Sequence, residues 1–97
     1  MVRKIYIAGK ITGDPDYQLK FMKARAQLMK QGDIVLSPAV LPSGMEPADY
    51  MKICFAMIDV ADAVAFLPDY ARSQGAMLEL AYCNYIHKET MTPWGSE

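Results

Sequence analysis

The chain has 97 residues, of which 53% are apolar and 22% are charged. A chain of this length is expected to form one domain that buries only about 60 to 65% of the surface its unfolded form exposes, so self-association would add burial. Ten basic and eleven acidic residues nearly balance, which argues against a nucleic-acid polymer or an anionic membrane as a partner. We therefore expect a homo-oligomer that binds neither.

The N-terminal segment and the cysteines indicate a cytoplasmic protein. The apolar stretch in residues 1–8 is too short for a signal peptide, and no run approaches the ~20 apolar residues of a membrane span. Cys54 and Cys83 lie far apart in a chain with one histidine, so neither a disulfide framework nor a zinc site is supported. We expect two reduced, buried thiols and neither a metal nor a cofactor.

The first half of the chain predicts two strands with a helix between them. Ile5-Tyr6-Ile7-Ala8 is an apolar run typical of a strand that is buried on both faces. After a glycine-containing loop, residues 16–31 repeat apolar side chains at helical spacing. Ile34-Val35-Leu36 predicts a short second strand, and an irregular loop follows it.

The second half of the chain repeats this alternation. Pro47 begins a second helix, which the pattern predicts to be mostly buried, and residues 63–67 predict a third strand. A third helix is expected from about residue 74 to residue 87, with Ser73 as its N-cap.

This order of elements predicts an α/β fold. Right-handed crossovers give a three-layer, doubly wound sheet, flavodoxin-like or Rossmann-like, of about four mostly parallel strands with helices on both faces. The whole chain, residues 1–97, would form a single domain. Residues 88–97 are expected to be a short irregular tail, in which residues 89–92 are the best place for a strand.

A helix start and the loop before it mark a candidate site. In open parallel sheets the loops at the carboxyl ends of the strands converge on one crevice, which here collects residues 9–14, 37–46 and 68–75. With Ser73 as cap and Gly75 permitting close approach, the helix start would present backbone N–H groups to a phosphate or carboxylate. Many helix starts can do this, so the pattern alone is weakly specific.

Glu79 stands out because it faces away from the polar side of the third helix. At about 100° per residue it lies roughly 140° to 180° from Asn84 and Lys88, among apolar residues. An unpaired carboxylate there costs several kcal/mol, so it must be paired, hydrogen-bonded or directed at a cavity. The spacing leaves two interpretations open: a salt-bridged or rim residue, or a carboxylate that faces the crevice one turn beyond Gly75.

Three segments together resemble the nucleoside 2-deoxyribosyltransferase superfamily. They are Ile5-Tyr6-Ile7-Ala8-Gly9-Lys10-Ile11-Thr12-Gly13, Ala61-Asp62-Ala63-Val64-Ala65-Phe66-Leu67-Pro68 and Ser73-x-Gly75-Ala76-x-x-Glu79. Within that superfamily the chain is most similar to the short proteins grouped as domain of unknown function 4406. The similarity runs from about Ile5 to Ala81, and the Ser-x-Gly-x-x-x-Glu element is its most specific part.

The resemblance implies a mechanism and several site residues. The glutamate that matches Glu79 is the nucleophile at C1′ of a deoxyribosyl group, which leaves a glycosyl-enzyme that a second base or water resolves. The tyrosine that matches Tyr6 hydrogen-bonds this glutamate. In the nucleotide hydrolase branch, the serine that matches Ser73 holds a 5′-phosphate.

One residue departs from the superfamily pattern. Catalytic members carry an aspartate in the helix before the third strand, where this chain has Cys54. A thiol cannot replace a carboxylate as an acceptor or acid near neutral pH without a strong perturbation. Asp69, in the loop before Ser73, is the remaining candidate for a second catalytic carboxylate; its alternative role is a turn residue after Pro68.

Three further residues are candidates for ligand contacts. Gly9 would line the site, and Lys10 could meet a phosphate in the first loop or could simply be solvated. Tyr70 stands where relatives often carry tryptophan and could stack on a base. Trp94 could contact a neighbouring subunit, because superfamily active sites are commonly completed by one.

These observations lead to one main hypothesis and two alternatives. The main hypothesis is a nucleoside or nucleotide N-glycosidase, or 2-deoxyribosyltransferase-like protein, that acts on a (deoxy)nucleoside or its 5′-monophosphate through Glu79. The first alternative, which Cys54 favours, is a non-catalytic module that binds or sequesters a nucleotide. The second is a small structural or interaction protein with a vestigial pocket, for which the supporting observation would be a Glu79 covered by its own subunit with no cavity beside Gly75.

Overall fold

The computed structural model describes residues 2–92, which contain four strands and three helices. The strands are β1 (Lys4–Ala8), β2 (Ile34–Leu36), β3 (Ala63–Phe66) and β4 (Glu89–Met91), and the helices are α1 (Tyr17–Lys30), α2 (Pro47–Val60) and α3 (Gln74–Tyr85). Short 3₁₀ turns at Pro38–Val40 and Tyr70–Arg72 lie in the loops before α2 and α3. Helix α2 begins at Pro47 as predicted, and every other strand and helix begins and ends within two residues of its predicted bounds.

The four strands form one parallel sheet in the order β2-β1-β3-β4. At its centre Tyr6 of β1 pairs with Leu36 of β2 on one side and Val64 of β3 on the other. The predicted doubly wound α/β fold is therefore confirmed. The chain runs outward from β1 to β2 and then crosses back to β3, so the strand order reverses between β1 and β3, where ligand crevices open in such sheets.

The expected irregular tail contributes the edge strand of this sheet. Glu89–Met91 pairs in parallel with β3, from Ala63 to Ala65. This is the segment with the best strand pattern in the tail, and three paired residues are enough to extend the sheet. Among the described residues, no helix combines the length and the apolarity that crossing a membrane requires.

Alternation along β1 divides the core into two layers. Ile5 and Ile7 pack on the α1 side of the sheet, whereas Tyr6 and Ala8 pack on the side of α2 and α3. All four side chains are fully buried. The register of β1 therefore places one phenol in the same layer as α3.

Helix α2 is less buried than the sequence pattern predicts. Of its fourteen residues, only Cys54 and Ile58 are buried. Exposed large apolar side chains of α2 and α3 are Ile53, Val60, Met77, Leu78 and Tyr85. The prediction of a mostly buried α2 is wrong for the isolated chain, because helical periodicity marks an apolar face without showing what covers it.

Candidate functional site

A buried carboxyl group and a buried phenol meet between β1 and α3. Glu79 is 5% exposed, Tyr6 is fully buried, and the Tyr6 hydroxyl donates a hydrogen bond to Glu79 Oε2 at 2.9 Å. The sheet fixes Tyr6 because its backbone pairs with strands on both sides. Glu79 thus lies on the inner face of α3, as its spacing predicts, and its partner is a phenol rather than a cation.

The electrostatics of Glu79 follow from this burial. Removal from water raises the pKa of its carboxyl group to about 7, and interactions with the Tyr6 hydroxyl and the Cys54 thiol oppose the shift. The carboxyl group therefore ionises at a higher pH than an exposed glutamate does. Burial also raises the pKa of Tyr6 well above its usual value, so the phenol remains a hydrogen-bond donor.

Cys54 is the third member of this cluster. It projects from α2, is 3% exposed, and packs in the same buried cluster as Tyr6, close enough to Glu79 to affect the pKa of its carboxyl group. Burial raises its pKa to about 11, so the group is a thiol at neutral pH. The residue that departs from the superfamily pattern therefore lies directly beside the candidate nucleophile.

The start of α3 has the cap that the sequence predicts. Ser73 has an extended backbone, and its side-chain oxygen accepts a hydrogen bond from the Ala76 N–H at 3.1 Å. The hydroxyl hydrogen stays able to donate to an anion in front of the helix, where the helix dipole also favours negative charge.

The two glycines predicted to line the site, Gly9 and Gly75, differ in how much space a side chain would have at each position. A Cβ at Gly9 would lie 2.5 Å from Leu67 Cδ1, so the loop after β1 packs too closely on Leu67 to accept a larger residue unless Leu67 shifts. A Cβ at Gly75 would lie 3.4 Å from Met51 Cε, which is an ordinary contact. Within the described residues, packing therefore explains Gly9 but not Gly75.

Asp69 belongs to a polar cluster that joins two loops. One of its oxygens accepts the backbone N–H of Lys10 at 3.1 Å, and the other pairs with Lys20 Nζ. Lys20 also pairs with Asp14 at 2.5 Å and donates to the Lys10 carbonyl at 2.8 Å. The cluster ties the loop after β1 to the loop after β3, and its hydrogen bonds do not bring Asp69 to Glu79.

The remaining predicted contact residues also have protein partners. Lys10 Nζ donates to the Arg72 carbonyl at 3.4 Å, next to the start of α3. Tyr70 packs edge-on against Phe66, with ring centroids 5.4 Å apart. Trp94 lies outside the described residues. Across residues 2–92, no three His, Cys, Asp or Glu side chains are grouped closely enough to hold a metal ion.

Two surface clefts flank the site, and neither is lined by Glu79. The cleft of about 560 Å³ includes Ser73, Met77 and Leu78, and the cleft of about 450 Å³ lies against α1 and Leu67. Met77 lies about 160° around α3 from Glu79, so the first cleft is on the outer side of that helix. In the part of the chain that the structure describes, these clefts do not join the Tyr6–Glu79 pair to Ser73, and Glu79 is covered by its own chain.

Comparison with known proteins places the chain in a family. The family model described as domain of unknown function DUF4406 matches residues 3–92. The chain belongs to this family. The matched range runs from the residue before β1 to the residue after β4, so it includes all three members of the Tyr6, Glu79 and Cys54 cluster.

The DUF4406 chain also shares its fold with a solved structure. A 2-desoxiribosyltransferase from Leishmania mexicana superposes with a TM-score of 0.73 at 22% sequence identity. The superposition covers 93% of this chain and 63% of that one. The expected DUF4406 family is thus confirmed, and so is the expected likeness in fold to a 2-deoxyribosyltransferase. Comparison with curated proteins gives no significant match.

Lys20 is the site-proximal residue of this DUF4406 protein that sequence reasoning missed. Its side chain is about one-quarter exposed and holds Asp69 and Asp14 together. A signal was present, because Lys20 lies four residues before the buried Ala24 and so falls at the inner edge of the helix. A cation at that position needs a carboxylate partner from a neighbouring loop.

Proposed function

We propose that this DUF4406 protein cleaves the N-glycosidic bond of a deoxynucleoside or its 5′-monophosphate, by hydrolysis or base exchange. The observation that carries the proposal is the 2.9 Å hydrogen bond between the buried Tyr6 hydroxyl and Glu79 Oε2. A carboxyl group oriented by a fixed hydrogen-bond donor matches the arrangement of a nucleophile and its orienting partner. The fold shared with a 2-desoxiribosyltransferase supports the substrate class.

Each of the two carboxyl oxygens of Glu79 has a separate role in this mechanism. Tyr6 holds Oε2, which leaves Oε1 to attack C1′ of the sugar as the bond to the base nitrogen breaks. The product is a glycosyl ester of Glu79. Water or a second base then attacks C1′ and releases the carboxylate, as in retaining glycoside hydrolysis.

The start of α3 is the proposed phosphate subsite. The Ser73 hydroxyl and the helix dipole favour an anion there. Gly75 leaves the space that a Cβ would take, and Lys10 adds positive charge beside Arg72. Gly9 allows the loop after β1 to pack closely on Leu67 and so sets the shape of the site. The ring of Tyr70 would stack on the base. The role proposed for Asp69 is to hold the loops after β1 and β3 in place.

Access to Glu79 requires side chains to move. The carboxyl group is 5% exposed, so a sugar reaches it only after a neighbouring group is displaced. We propose Met51 for this movement, because its methyl end lies beside Gly75, one helical turn before Glu79, and its side chain is unbranched and flexible.

The burial of Glu79 favours a second candidate function, that of a non-catalytic nucleotide-binding module. In that case the nucleotide binds at the start of α3 and does not reach the carboxyl group. Cys54 in place of an aspartate is consistent with this function. A carboxyl group covered by its own chain is also consistent with a structural protein that has a vestigial pocket.

A base-release assay separates these functions. Protein is incubated with a panel of 2′-deoxynucleosides and their 5′-monophosphates, and free base is measured by chromatography. Glu79→Gln is the matched control, because it preserves the shape of the side chain without the nucleophilic carboxylate. Release of base by the wild type and not by the control supports the N-glycosidase. Saturable binding in calorimetry without release of base supports the binding module. The absence of both binding and release would overturn both functions.

A further inference from the structure

The titratable groups around Glu79 are all weak acids. They are the Tyr6 hydroxyl, which donates to Glu79 at 2.9 Å, and the buried thiols of Cys54 on α2 and Cys83 on α3. Burial raises the pKa of Cys54 to about 11 and that of Tyr6 well above its usual value. Both groups are much weaker acids than the near-neutral pKa that favours acid catalysis at pH 7, so neither is an effective proton donor to a departing base.

Neither carboxyl group that the sequence predicts for the site is available as a proton donor. Asp69 accepts hydrogen bonds from the Lys10 N–H and from Lys20 on its two oxygens. Glu79 cannot act as nucleophile and as acid in the same step, because the two roles require opposite protonation states.

The buried carboxyl group also has neutral partners only. Of the four ion pairs in residues 2–92, none includes Glu79. Its ionised form is therefore costly, and a cation bound beside it would supply the missing counter-charge. A positively charged substrate would favour the protonation state in which Glu79 is a nucleophile.

These observations select a leaving group. Proton donation to a departing group is worth ~10² to 10⁴-fold in rate, and a neutral base depends on it, whereas a base that already carries a positive charge departs as a neutral molecule. We propose that the Glu79 site acts on N-glycosides of cationic bases, that is, N-alkylpurinium or pyridinium deoxynucleosides and their 5′-phosphates. This inference rests on the proposed N-glycosidase function and names its substrate class.

The reaction balances without a proton donor. The Glu79 oxygen supplies an electron pair to C1′, the C1′–N bond breaks, and its electron pair neutralises the cationic ring of the base. Water then attacks C1′ of the ester, which regenerates the Glu79 carboxylate and releases the sugar and one proton.

A matched pair of substrates tests the leaving group. 2′-Deoxyguanosine and 7-methyl-2′-deoxyguanosine differ by one methyl group and one positive charge on the ring bonded to the sugar. We expect kcat/KM for the methylated nucleoside to exceed that for the neutral one by at least ~100-fold, the lower end of the worth of acid catalysis. Comparable values, with both reactions lost in Glu79→Gln, would overturn this inference and leave the proposed function standing.

Variants of Cys54 distinguish the preference of the site from the intrinsic reactivity of the two substrates. Cys54→Asp supplies an acid beside Glu79, and Cys54→Asn has a similar shape without one. We expect the ratio of neutral to cationic cleavage to rise at least ~10-fold in Cys54→Asp and not in Cys54→Asn. An equal ratio in both folded variants would contradict the inference.

The pH profile of the wild type needs no variant. With N1-(2-deoxyribosyl)nicotinamide, whose charge does not change with pH, kcat/KM should rise as Glu79 ionises and then remain level. A falling limb would reveal a proton donor and overturn the inference. Release of base from neither class of nucleoside would instead remove the proposed function, and this inference with it.

Calorimetry gives a readout that does not depend on turnover. At a pH below 7, binding of the nicotinamide deoxynucleoside should release a proton from Glu79, which appears as a dependence of the binding enthalpy on the buffer. Glu79→Gln should bind without this dependence. Binding by the wild type with no proton release would contradict the counter-charge argument.

Discussion

Burial of the Glu79 carboxyl group makes the stability of this protein depend on pH. Its pKa rises from 4.5 when unfolded to about 7 when folded, so the folded chain holds a proton that the unfolded chain loses. The stabilisation from neutral Glu79 is fully present below about pH 4.5 and is lost as the pH rises through about 7. The loss is on the order of 3 kcal/mol.

Glu79→Gln tests this dependence directly. The amide does not ionise, so the fall in the free energy of unfolding between about pH 5 and about pH 8 should become much smaller than in the wild type. Urea denaturation at the two pH values measures it. Equal pH dependence in the two proteins would show that the Glu79 carboxyl group is not the buried titrating group.

The sequence predicts part of this site at the residue scale. Helical spacing places Glu79 on the inner face of α3, and the resemblance pairs it with Tyr6; the structure contains that hydrogen bond. The depth of burial could not be predicted, because it depends on which side chains cover α3. Lys20 was missed because its partners, Asp14 and Asp69, come from loops whose approach the sequence does not specify.

At the scale of elements, Ser73 at the start of α3 has two roles: it caps the helix, and we propose that it binds the phosphate. Ser73→Ala removes the cap of Ala76 N–H, which should lower the free energy of unfolding by about 1 kcal/mol. Ser73→Asp keeps a capping oxygen but adds a negative charge where the phosphate is proposed. We expect Ser73→Asp to retain near wild-type stability while its affinity for a 5′-monophosphate falls at least ~10-fold and its affinity for the nucleoside changes little.

Thermal unfolding and calorimetric titration measure the two effects separately. Equal loss of affinity for the nucleoside and for its monophosphate would count against a phosphate subsite at this helix start.

Gly75 and Gly9 provide a second comparison within the fold. Gly75→Ala meets only the flexible end of Met51 and improves helix propensity, so it should raise the free energy of unfolding by about 0.5 kcal/mol while weakening nucleotide binding. Gly9→Ala drives a Cβ into Leu67 and should cost about 1 to 3 kcal/mol. Chemical denaturation distinguishes them, and destabilisation by Gly75→Ala would show that the chain itself requires that glycine.

The order and type of the elements could be predicted because each one carries a local pattern. The apolar run of β1 and the Ser73 cap both depend on near neighbours in sequence. The burial of α2 could not be predicted in this way. Apolar side chains lie on most sides of this helix, so the sequence pattern does not show which side is buried. The structure shows that Cys54 and Ile58 are the buried residues.

At the scale of the whole molecule, the outer faces of α2 and α3 expose several large apolar side chains. Tyr85 is 86% exposed and Leu78, two turns earlier on α3, is 55% exposed. A chain this short gains burial by association, and the composition led to the expectation of a homo-oligomer. We propose that a second copy of the chain covers this face.

A charge substitution on each side of the sheet tests whether a second copy of the chain binds the outer face of α2 and α3. Tyr85→Lys should weaken self-association by at least about tenfold, because aromatic side chains dominate interface energies. Met22→Lys is the matched control, since Met22 is 61% exposed on α1, across the sheet. Sedimentation velocity over a concentration series measures both, and a wild type that stays monomeric throughout would contradict the proposal.

The central claim is that Glu79 becomes covalently bound to the sugar. The most direct measurement is mass spectrometry of protein quenched during reaction with a 2′-deoxynucleoside 5′-monophosphate. The mechanism predicts one deoxyribosyl phosphate on the peptide that contains Glu79, and none in Glu79→Gln. An adduct on another residue, or base release by Glu79→Gln at the wild-type rate, would contradict it.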